Sequence, residues 1–280
     1  MADALAVTGL SKRFGGLQAI REVSMKVPAG SVQAVIGPNG AGKTTLISLL
    51  SGRLHADKGE IRLFDAPVQS LSQEARVQAG LTRSFQITSV FNGMTVHDNL
   101  LVATQRVQAP GFGLLRDRSH DQEIRALAAS VAERVGLAQH LDTVAATLPH
   151  ALRRRLDVGL AIACRPRVLL MDEPLAGMGH EESDAMVALI RSLRVDTTVV
   201  LIEHDMEAVF ALADRIAVLV QGEIIASGSV AEIRADQKVR EAYLGEDEDE
   251  AEGRDENEDQ GENVGKGGAD DSASTARGRP

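Results

Sequence analysis

The chain has 280 residues, of which 44% are hydrophobic, and this is enough apolar sequence to build a core and to exclude a wholly disordered protein. Aromatic residues make up only 2% of the chain, which argues against the stacking platforms that bind single-stranded nucleic acid. Of the net charge of −10, −9 comes from residues 245–280, which hold 13 acidic and 4 basic side chains, so the preceding part is nearly neutral and lacks a basic nucleic-acid footprint.

Three further features concern the compartment in which the chain works. A single cysteine, Cys164, excludes an internal disulfide and fits a reducing environment. The N-terminus lacks the basic start and apolar run of a signal peptide, and no stretch of about 18 apolar residues occurs. We therefore expect a cytosolic chain that does not itself span a membrane.

The first predicted elements are a strand, a turn, a second strand and a helix. Val23–Val27 alternates apolar and polar residues, and Val32–Ile36 is a short apolar run typical of a buried strand. Gly37–Gly42 interrupts this run, and Thr44–Leu54 has a helical pattern. A strand, a glycine-rich loop and a helix in this order are the context that a phosphate-binding loop requires.

The rest of the chain alternates between helical and strand patterns. Residues 105–145 are mostly helical in pattern, apart from a loop at Ala109–Gly113. Further helices are predicted at Arg154–Ala163 and Glu181–Leu193, strands at Val168–Met171 and Thr198–Ile202, and a hairpin at Ala217–Ala226. This alternation predicts a mainly parallel, right-handed α/β core.

From Gly245 onward the sequence is acidic and then rich in Gly, Ser and Ala. So few bulky apolar residues cannot bury enough surface to offset the entropy of ordering the chain. We therefore predict a disordered acidic tail at 245–280, and a solubilising tail is favoured over a binding segment.

The glycine-rich segment matches the pattern G-x-x-x-x-G-K-[ST]. Its residues are Gly37, Pro38, Asn39, Gly40, Ala41, Gly42, Lys43, Thr44 and Thr45. Glycines allow backbone N–H groups to surround an anion, and the dipole of the following helix favours negative charge. In this pattern Lys43 reaches the β- and γ-phosphates and Thr44 ligates Mg²⁺, so the motif predicts ATP binding with Mg²⁺.

Two carboxylates end the apolar run that begins at Val168. Asp172 and Glu173 follow at the carboxyl end of a predicted parallel strand, the edge where phosphate loops also lie. There Asp172 fits a partner of Mg²⁺, and Glu173 can polarise an attacking water. His204 follows the next strand and is expected at the same edge, within reach of a γ-phosphate.

Four segments together, GPNGAGKTT, SFQ, LLMDEP and IEHD, resemble the ATP-binding subunit of an ABC transporter over residues 4–244. The resemblance implies a P-loop NTPase fold with a mainly parallel core sheet, an antiparallel β subdomain and a helical subdomain at about 88–165, within a nucleotide-binding domain of residues 1–244. It also implies roles for individual residues: Gln86 joins the Mg²⁺ site to the membrane subunits, Glu173 is the general base, His204 is the switch histidine, and Phe14 stacks on adenine.

Finer segments look like the branched-chain amino-acid and urea importer group. They are Lys12–Leu17, Asp172–Met178 and Glu203–Met206. The resemblance implies a peripheral subunit at the cytoplasmic face of the cell membrane, with a second ABC ATPase subunit in a head-to-tail dimer, two membrane permeases and no nucleic acid as partners. An importer of urea or short amides, and a lipid-export ATPase, stay open as alternatives.

One segment departs from the family pattern. The signature loop, usually Leu-Ser-Gly-Gly-Gln, is expected at Leu148–Leu152, where Pro149 replaces the serine and Leu152 the glutamine. Pro149 offers neither a hydroxyl nor an N–H group. Gly179 also stands where many relatives carry aspartate. We therefore expect a heterodimer with one impaired composite site, unless the backbone of His150 and Ala151 suffices.

Two other classes of function stay open. A soluble ABC ATPase of DNA repair or translation usually carries two such domains, coiled coils or basic patches, and this sequence has none. A nucleotide-binding structural subunit with weak hydrolysis is compatible with Pro149. The sequence therefore favours a hydrolytic importer subunit.

Overall fold

The computed structural model describes residues 2–84, 90–108 and 122–242. Gln86, the loop at Ala109–Gly113 and the acidic tail at 245–280 lie outside the described residues, so the predictions made for them stay predictions.

The strands of the described residues form two sheets. They are β1 (Asp3–Phe14), β2 (Leu17–Pro28), β3 (Val32–Ile36), β4 (Lys58–Leu63), β5 (Ala66–Pro67), β6 (Leu81–Arg83), β7 (Val168–Asp172), β8 (Thr198–Ile202), β9 (Arg215–Val220) and β10 (Glu223–Gly228). One sheet has the order β2-β1-β4-β5 and is antiparallel; the other has the order β10-β9-β3-β8-β7-β6 and is parallel except for the β9–β10 hairpin. The predicted α/β architecture is confirmed.

Helices cover both faces of the six-stranded sheet. They are α1 (Lys43–Ser51), α2 (Gln73–Gln78), α3 (Val96–Gln108), α4 (Gln122–Arg134), α5 (His150–Ala163), α6 (His180–Leu193), α7 (Met206–Leu212) and α8 (Val230–Ala235). Helices α3, α4 and α5 pack against one another and form the helical layer. Its predicted bounds of about 88–165 stay a prediction.

The side chains of the central strands alternate between two hydrophobic clusters. In β8, Val199 and Leu201 belong to the cluster shared with the helical layer, whereas Val200 and Ile202 belong to the cluster shared with α1 and the antiparallel sheet. Because both faces of these strands are buried, they appear in the sequence as continuous apolar runs.

Two helices differ from their predicted bounds by more than one residue. Helix α1 ends at Ser51 rather than Leu54, because Gly52 adopts a left-handed conformation and its N–H donates to the carbonyl of Leu49. The buried guanidinium of Arg76 binds the last carbonyls of the same helix, those of Leu49 and Leu50, at 2.6 and 2.7 Å. Helix α5 starts at His150, earlier than the predicted Arg154.

A cavity of about 130 Å³ lies where α5 meets β6 and α2. Three of its lining residues carry a buried polar atom that has no hydrogen-bond partner among the described residues: Thr82 Oγ1, Arg83 Nε and Asp157 Oδ1. Burial raises the pKa of Asp157 to about 6, and the charges of Arg154 and Arg153 oppose this rise. The ionised form of Asp157 is therefore unfavourable in the folded state.

We expect Asp157→Asn to stabilise the protein at alkaline pH. The pKa of Asp157 is higher in the folded than in the unfolded state, so ionisation decreases stability as pH rises from about 4 to about 6, and the full cost of about 3 kcal/mol remains above that range. Urea unfolding at pH 8 should show this gain, and at pH 4 the gain should be absent.

Asp196→Asn is the matched control, because the Arg134 hydrogen bond lowers rather than raises the pKa of Asp196. It should not stabilise the protein at pH 8. A gain that is the same at pH 4 and pH 8 for Asp157→Asn would show that titration of this carboxyl is not its cause.

Candidate functional site

The glycine-rich loop connects β3 to α1, as the sequence predicts. Gly37 has a φ of +157°, and a Cβ atom built on it would lie 1.9 Å from the carbonyl oxygen of Leu219 in β9. No larger side chain fits this approach, so the loop can follow the sheet edge only with glycine at its start. The N–H of Gly222, in the β9–β10 turn, supports the loop by donating to the carbonyl of Ala41 at 2.9 Å.

The ammonium group of Lys43 lies over the loop that precedes it. Its Nζ donates to the carbonyl oxygen of Pro38 at 2.9 Å and also to that of Gly37. Lys43 belongs to the first turn of α1, where an α-helix leaves N–H groups without intrahelical partners. The loop therefore combines a cation and a helix N-terminus, the two features that favour a bound phosphate.

An open cleft of about 550 Å³ extends from the loop to the antiparallel sheet. It is lined by Phe14, Leu17, Gln18, Ala19, Arg21, Asn39, Gly40, Ala41, Gly42, Lys43, Thr44, Thr45, Glu173 and Gln221. The Phe14 side chain is 45% exposed, and the Lys12 ammonium lies 5.6 Å from the centre of its ring. An exposed aromatic ring at one end and a phosphate loop at the other match the two ends of a nucleotide.

Asp172 ends β7 and is paired with an arginine from the neighbouring strand. The Arg83 guanidinium donates to Asp172 Oδ2 at 2.7 Å and to Ser48 Oγ at 3.3 Å. Burial raises the pKa of Asp172, and the Arg83 charge opposes this rise. Arg83 therefore favours the ionised form of a carboxylate that is 1% exposed.

Glu173 and His204 lie together at the ends of β7 and β8. The distance from Glu173 Oε1 to His204 Nδ1 is 3.9 Å. Glu173 has a φ of +47°, a conformation that costs a non-glycine residue about 1–3 kcal/mol and that persists only where the surroundings fix it. Its N–H donates to the carbonyl of Ile202 at 2.9 Å. The structure thus brings together the two residues proposed for hydrolysis.

The residues assigned to Mg²⁺ supply the oxygen donors that this ion prefers. Thr44 offers a hydroxyl in the first turn of α1, and Asp172 offers a carboxylate. Within the described residues no group of three or more His, Cys, Asp or Glu side chains could form an all-protein metal cage. Mg²⁺ is usually held by one or two side chains together with phosphates and waters. The third assigned residue, Gln86, lies outside the described residues.

The segment that departs from the family signature starts α5. Pro149 is the N-cap residue and makes no side-chain capping hydrogen bond. Leu152 packs against the hydrophobic cluster of the helical layer. His150 is exposed, and its Cε1 lies 3.5 Å from the position that a Cβ atom on Gly177 would take. The polar groups expected at the serine and glutamine positions are therefore replaced by groups that cannot donate a hydrogen bond.

Two charged residues of the site were not predicted. Arg83 is one, and its signal is an arginine inside the short buried strand Leu81–Arg83. Glu203 is the other: it is 1% exposed and accepts hydrogen bonds from two backbone N–H groups. A carboxylate directly before His204, after a buried apolar strand, is the signal for it.

A family model described as ABC transporter matches residues 20–176, and one described as Branched-chain amino acid ATP-binding cassette transporter matches residues 223–249. The chain is 41% identical to the high-affinity branched-chain amino acid transport ATP-binding protein BraF of Pseudomonas aeruginosa and 39% identical to LivG of Escherichia coli, over 249 residues in each case. Each alignment covers 86% of this chain and 98% of the relative.

Among solved structures, the chain is similar to the crystal structure of the ADP conformation of an ATP-binding cassette of an ABC transporter. The TM-score is 0.77 and the identity 29%, and the match covers 88% of this chain and 100% of that one. No helix in the described part of the chain is long and apolar enough to cross a bilayer.

Proposed function

Because this chain belongs to the ATP-binding subunits of the ABC transporter family, we propose that it binds and hydrolyses ATP to energise a multi-subunit importer of branched-chain amino acids. The main support for this proposal is the cleft at one edge of the parallel sheet, which is lined by both Lys43 and Glu173. The match of residues 223–249 to the branched-chain amino-acid transporter model supports the choice of solute.

In this proposal the cleft holds ATP along its length. Residues 37–45 surround the phosphates with backbone N–H groups, and Lys43 turns from the loop carbonyls toward the β- and γ-phosphates. Phe14 stacks on adenine at the opposite end. Side-chain groups of the first α1 turn, including Thr44, face the phosphates.

Thr44, Gln86 and Asp172 would hold Mg²⁺ beside the phosphates. When bound, this ion neutralises the negative charge that develops on the β- and γ-phosphate oxygens. Arg83 favours the ionised form of Asp172 that this role needs, because its guanidinium donates to that buried carboxylate at 2.7 Å. The pairing also keeps the carboxylate in place when no nucleotide is bound.

Glu173 is the general base in this proposal. Its carboxylate accepts a proton from the attacking water, and His204 contacts the γ-phosphate and orients Glu173. ATP binding closes a head-to-tail dimer and hydrolysis reopens it, which is a population shift driven by the γ-phosphate contacts. The segment around Gln86 transmits this change to two membrane permeases, so the chain works at the cytoplasmic face of the membrane.

The proposed dimer partner is a second, different ABC ATPase subunit. ATP held at Lys43 meets the partner's signature loop, whereas ATP held by the partner meets Pro149 and Leu152 of this chain. Loss of one or two donors near a transferring phosphoryl group typically slows the reaction about 10²–10³-fold each. A purified homodimer of this chain with transport-grade ATPase activity would contradict the heterodimer.

Other functions make different predictions. An importer of urea or short amides would differ only in solute, and a lipid-export ATPase would co-purify with different membrane subunits. A structural subunit with weak hydrolysis would support transport after Glu173→Gln. A soluble ATPase of DNA repair or translation would co-purify with nucleic acid rather than with membrane proteins.

We expect Lys43→Ala to weaken ATP binding at least about 10-fold, because a charge-assisted contact to phosphate contributes about 1.5–3 kcal/mol. Binding of MgATP to the full-length chain, measured by isothermal titration calorimetry, tests this. Lys58→Ala removes the same charge from an exposed strand position and serves as the control. Equal affinities for wild type and Lys43→Ala would contradict ATP binding at this loop.

A further inference from the structure

A buried glutamate connects the two strand ends that carry the proposed hydrolytic residues. Glu203 follows β8 directly and is 1% exposed. Its Oε1 accepts a hydrogen bond from the N–H of Leu175 at 2.9 Å, and its Oε2 accepts one from the N–H of His204 at 3.2 Å. One carboxylate therefore ties the loop after β7 to the loop after β8.

The loop after β7 is held on both sides of Glu173. On one side, the N–H of Glu173 donates to the carbonyl of Ile202; on the other, the N–H of Leu175 donates to Glu203. Both acceptors belong to consecutive residues at the end of β8. These two contacts lie on either side of Glu173 and explain why it keeps an unfavourable backbone conformation, with a φ of +47°.

His204 is positioned by the same carboxylate. Its Nδ1 lies 3.9 Å from Glu203 Oε2 and 3.9 Å from Glu173 Oε1, so one nitrogen of the imidazole faces both acidic side chains. The His204 side chain is 63% exposed and the Glu203 side chain 1%, which makes Glu203 the fixed and His204 the movable member of the pair.

We propose that Glu203 is a positioning residue of the hydrolytic site, which sets Glu173 and His204 relative to each other without touching the nucleotide. This inference rests on the proposed ATPase function. A buried carboxylate is retained in an apolar environment only where hydrogen bonds compensate its desolvation, and here both oxygens are used for that purpose. Placing the reacting groups correctly is worth up to about 100-fold in rate per ångström of displacement.

The test compares Glu203→Ala and Glu203→Gln with wild type in the full-length chain. Glu203→Ala removes both acceptors, whereas the amide of Glu203→Gln keeps one acceptor oxygen and is the milder change. We expect kcat to fall about 100-fold in the first variant and about 10-fold in the second. KM, and the Kd for a fluorescent ATP analogue, should stay within about twofold, because the phosphate loop is untouched.

Two controls separate positioning from a general loss of structure. Glu207→Gln makes the same chemical change on an exposed residue of α7 and should leave kcat unchanged. Combining Glu203→Ala with His204→Ala should reduce kcat by less than the product of the single effects, because the two residues act through one arrangement.

The outcomes also separate this inference from the proposed function. If wild type hydrolyses ATP and folded Glu203→Ala or Glu203→Gln has the same kcat, the inference is overturned. The proposed ATPase function is then unaffected. A parallel loss of nucleotide affinity, or multiplicative effects in the double variant, also overturns it. No hydrolysis by wild type, alone or with its partner subunits, contradicts both.

Discussion

Glu173→Gln should reduce ATP hydrolysis by about 10²–10⁴-fold and leave ATP binding intact. The amide cannot accept a proton from water, so the contribution of a general base is lost, whereas the phosphate loop is unchanged. Phosphate release with MgATP from the chain assembled with its partner subunits measures the first effect, and calorimetry on the purified chain measures the second.

Glu181→Gln is the matched control for this variant, because it makes the same change on an exposed residue in the first turn of α6. It should hydrolyse ATP at the wild-type rate. If Glu173→Gln kept more than about a tenth of the wild-type kcat, Glu173 would not be the general base.

Arg83→Met should lower the free energy of unfolding by about 3–5 kcal/mol at pH 7. The change leaves Asp172 buried without its cation, and breaking a buried ion pair from one side leaves an uncompensated charge. Burial already raises the pKa of Asp172, and the loss of Arg83 raises it further. The penalty belongs to the ionised carboxylate and should therefore shrink as pH falls toward the unfolded-state pKa of Asp172.

The exposed ion pair between Arg134 and Asp196 provides the comparison. Its side chains are 34% and 55% exposed, so Arg134→Met should cost less than about 1 kcal/mol. The double variant Arg83→Met with Asp172→Asn should recover part of the lost stability, because no charge is left unpaired. Urea unfolding of the three variants tests this ranking, and a cost of Arg83→Met no larger than that of Arg134→Met would refute it.

The parallel core was the most predictable part of the fold. The bounds of β8 agree with the prediction, because a strand buried on both faces is a continuous apolar run with turn residues after it. The antiparallel sheet was harder to predict from the sequence. Its long strand β1 pairs with β2 through several register shifts, and such bulges interrupt the alternation by which a half-buried strand is identified.

The candidate site likewise has a part that could be predicted from the sequence and a part that could not. The phosphate loop, Asp172 and Glu173 are contiguous motifs, so they could be identified from local sequence. The Arg83–Asp172 pair joins residues 89 positions apart, and it depends on β6 being the neighbour of β7 in the sheet. The role of Glu203 depends on the path of the loop after Glu173, which includes a non-glycine residue in a left-handed conformation that no local pattern indicates.

The most direct test of the proposed function is uptake of radiolabelled leucine by cells in which the gene for this chain has been deleted. Wild-type protein should restore uptake, and Glu173→Gln, present at the same level, should not. Urea uptake should be unchanged in both. Leucine uptake that persists in the deletion strain, or that Glu173→Gln restores fully, would contradict an ATP-hydrolysing subunit of a branched-chain amino-acid importer.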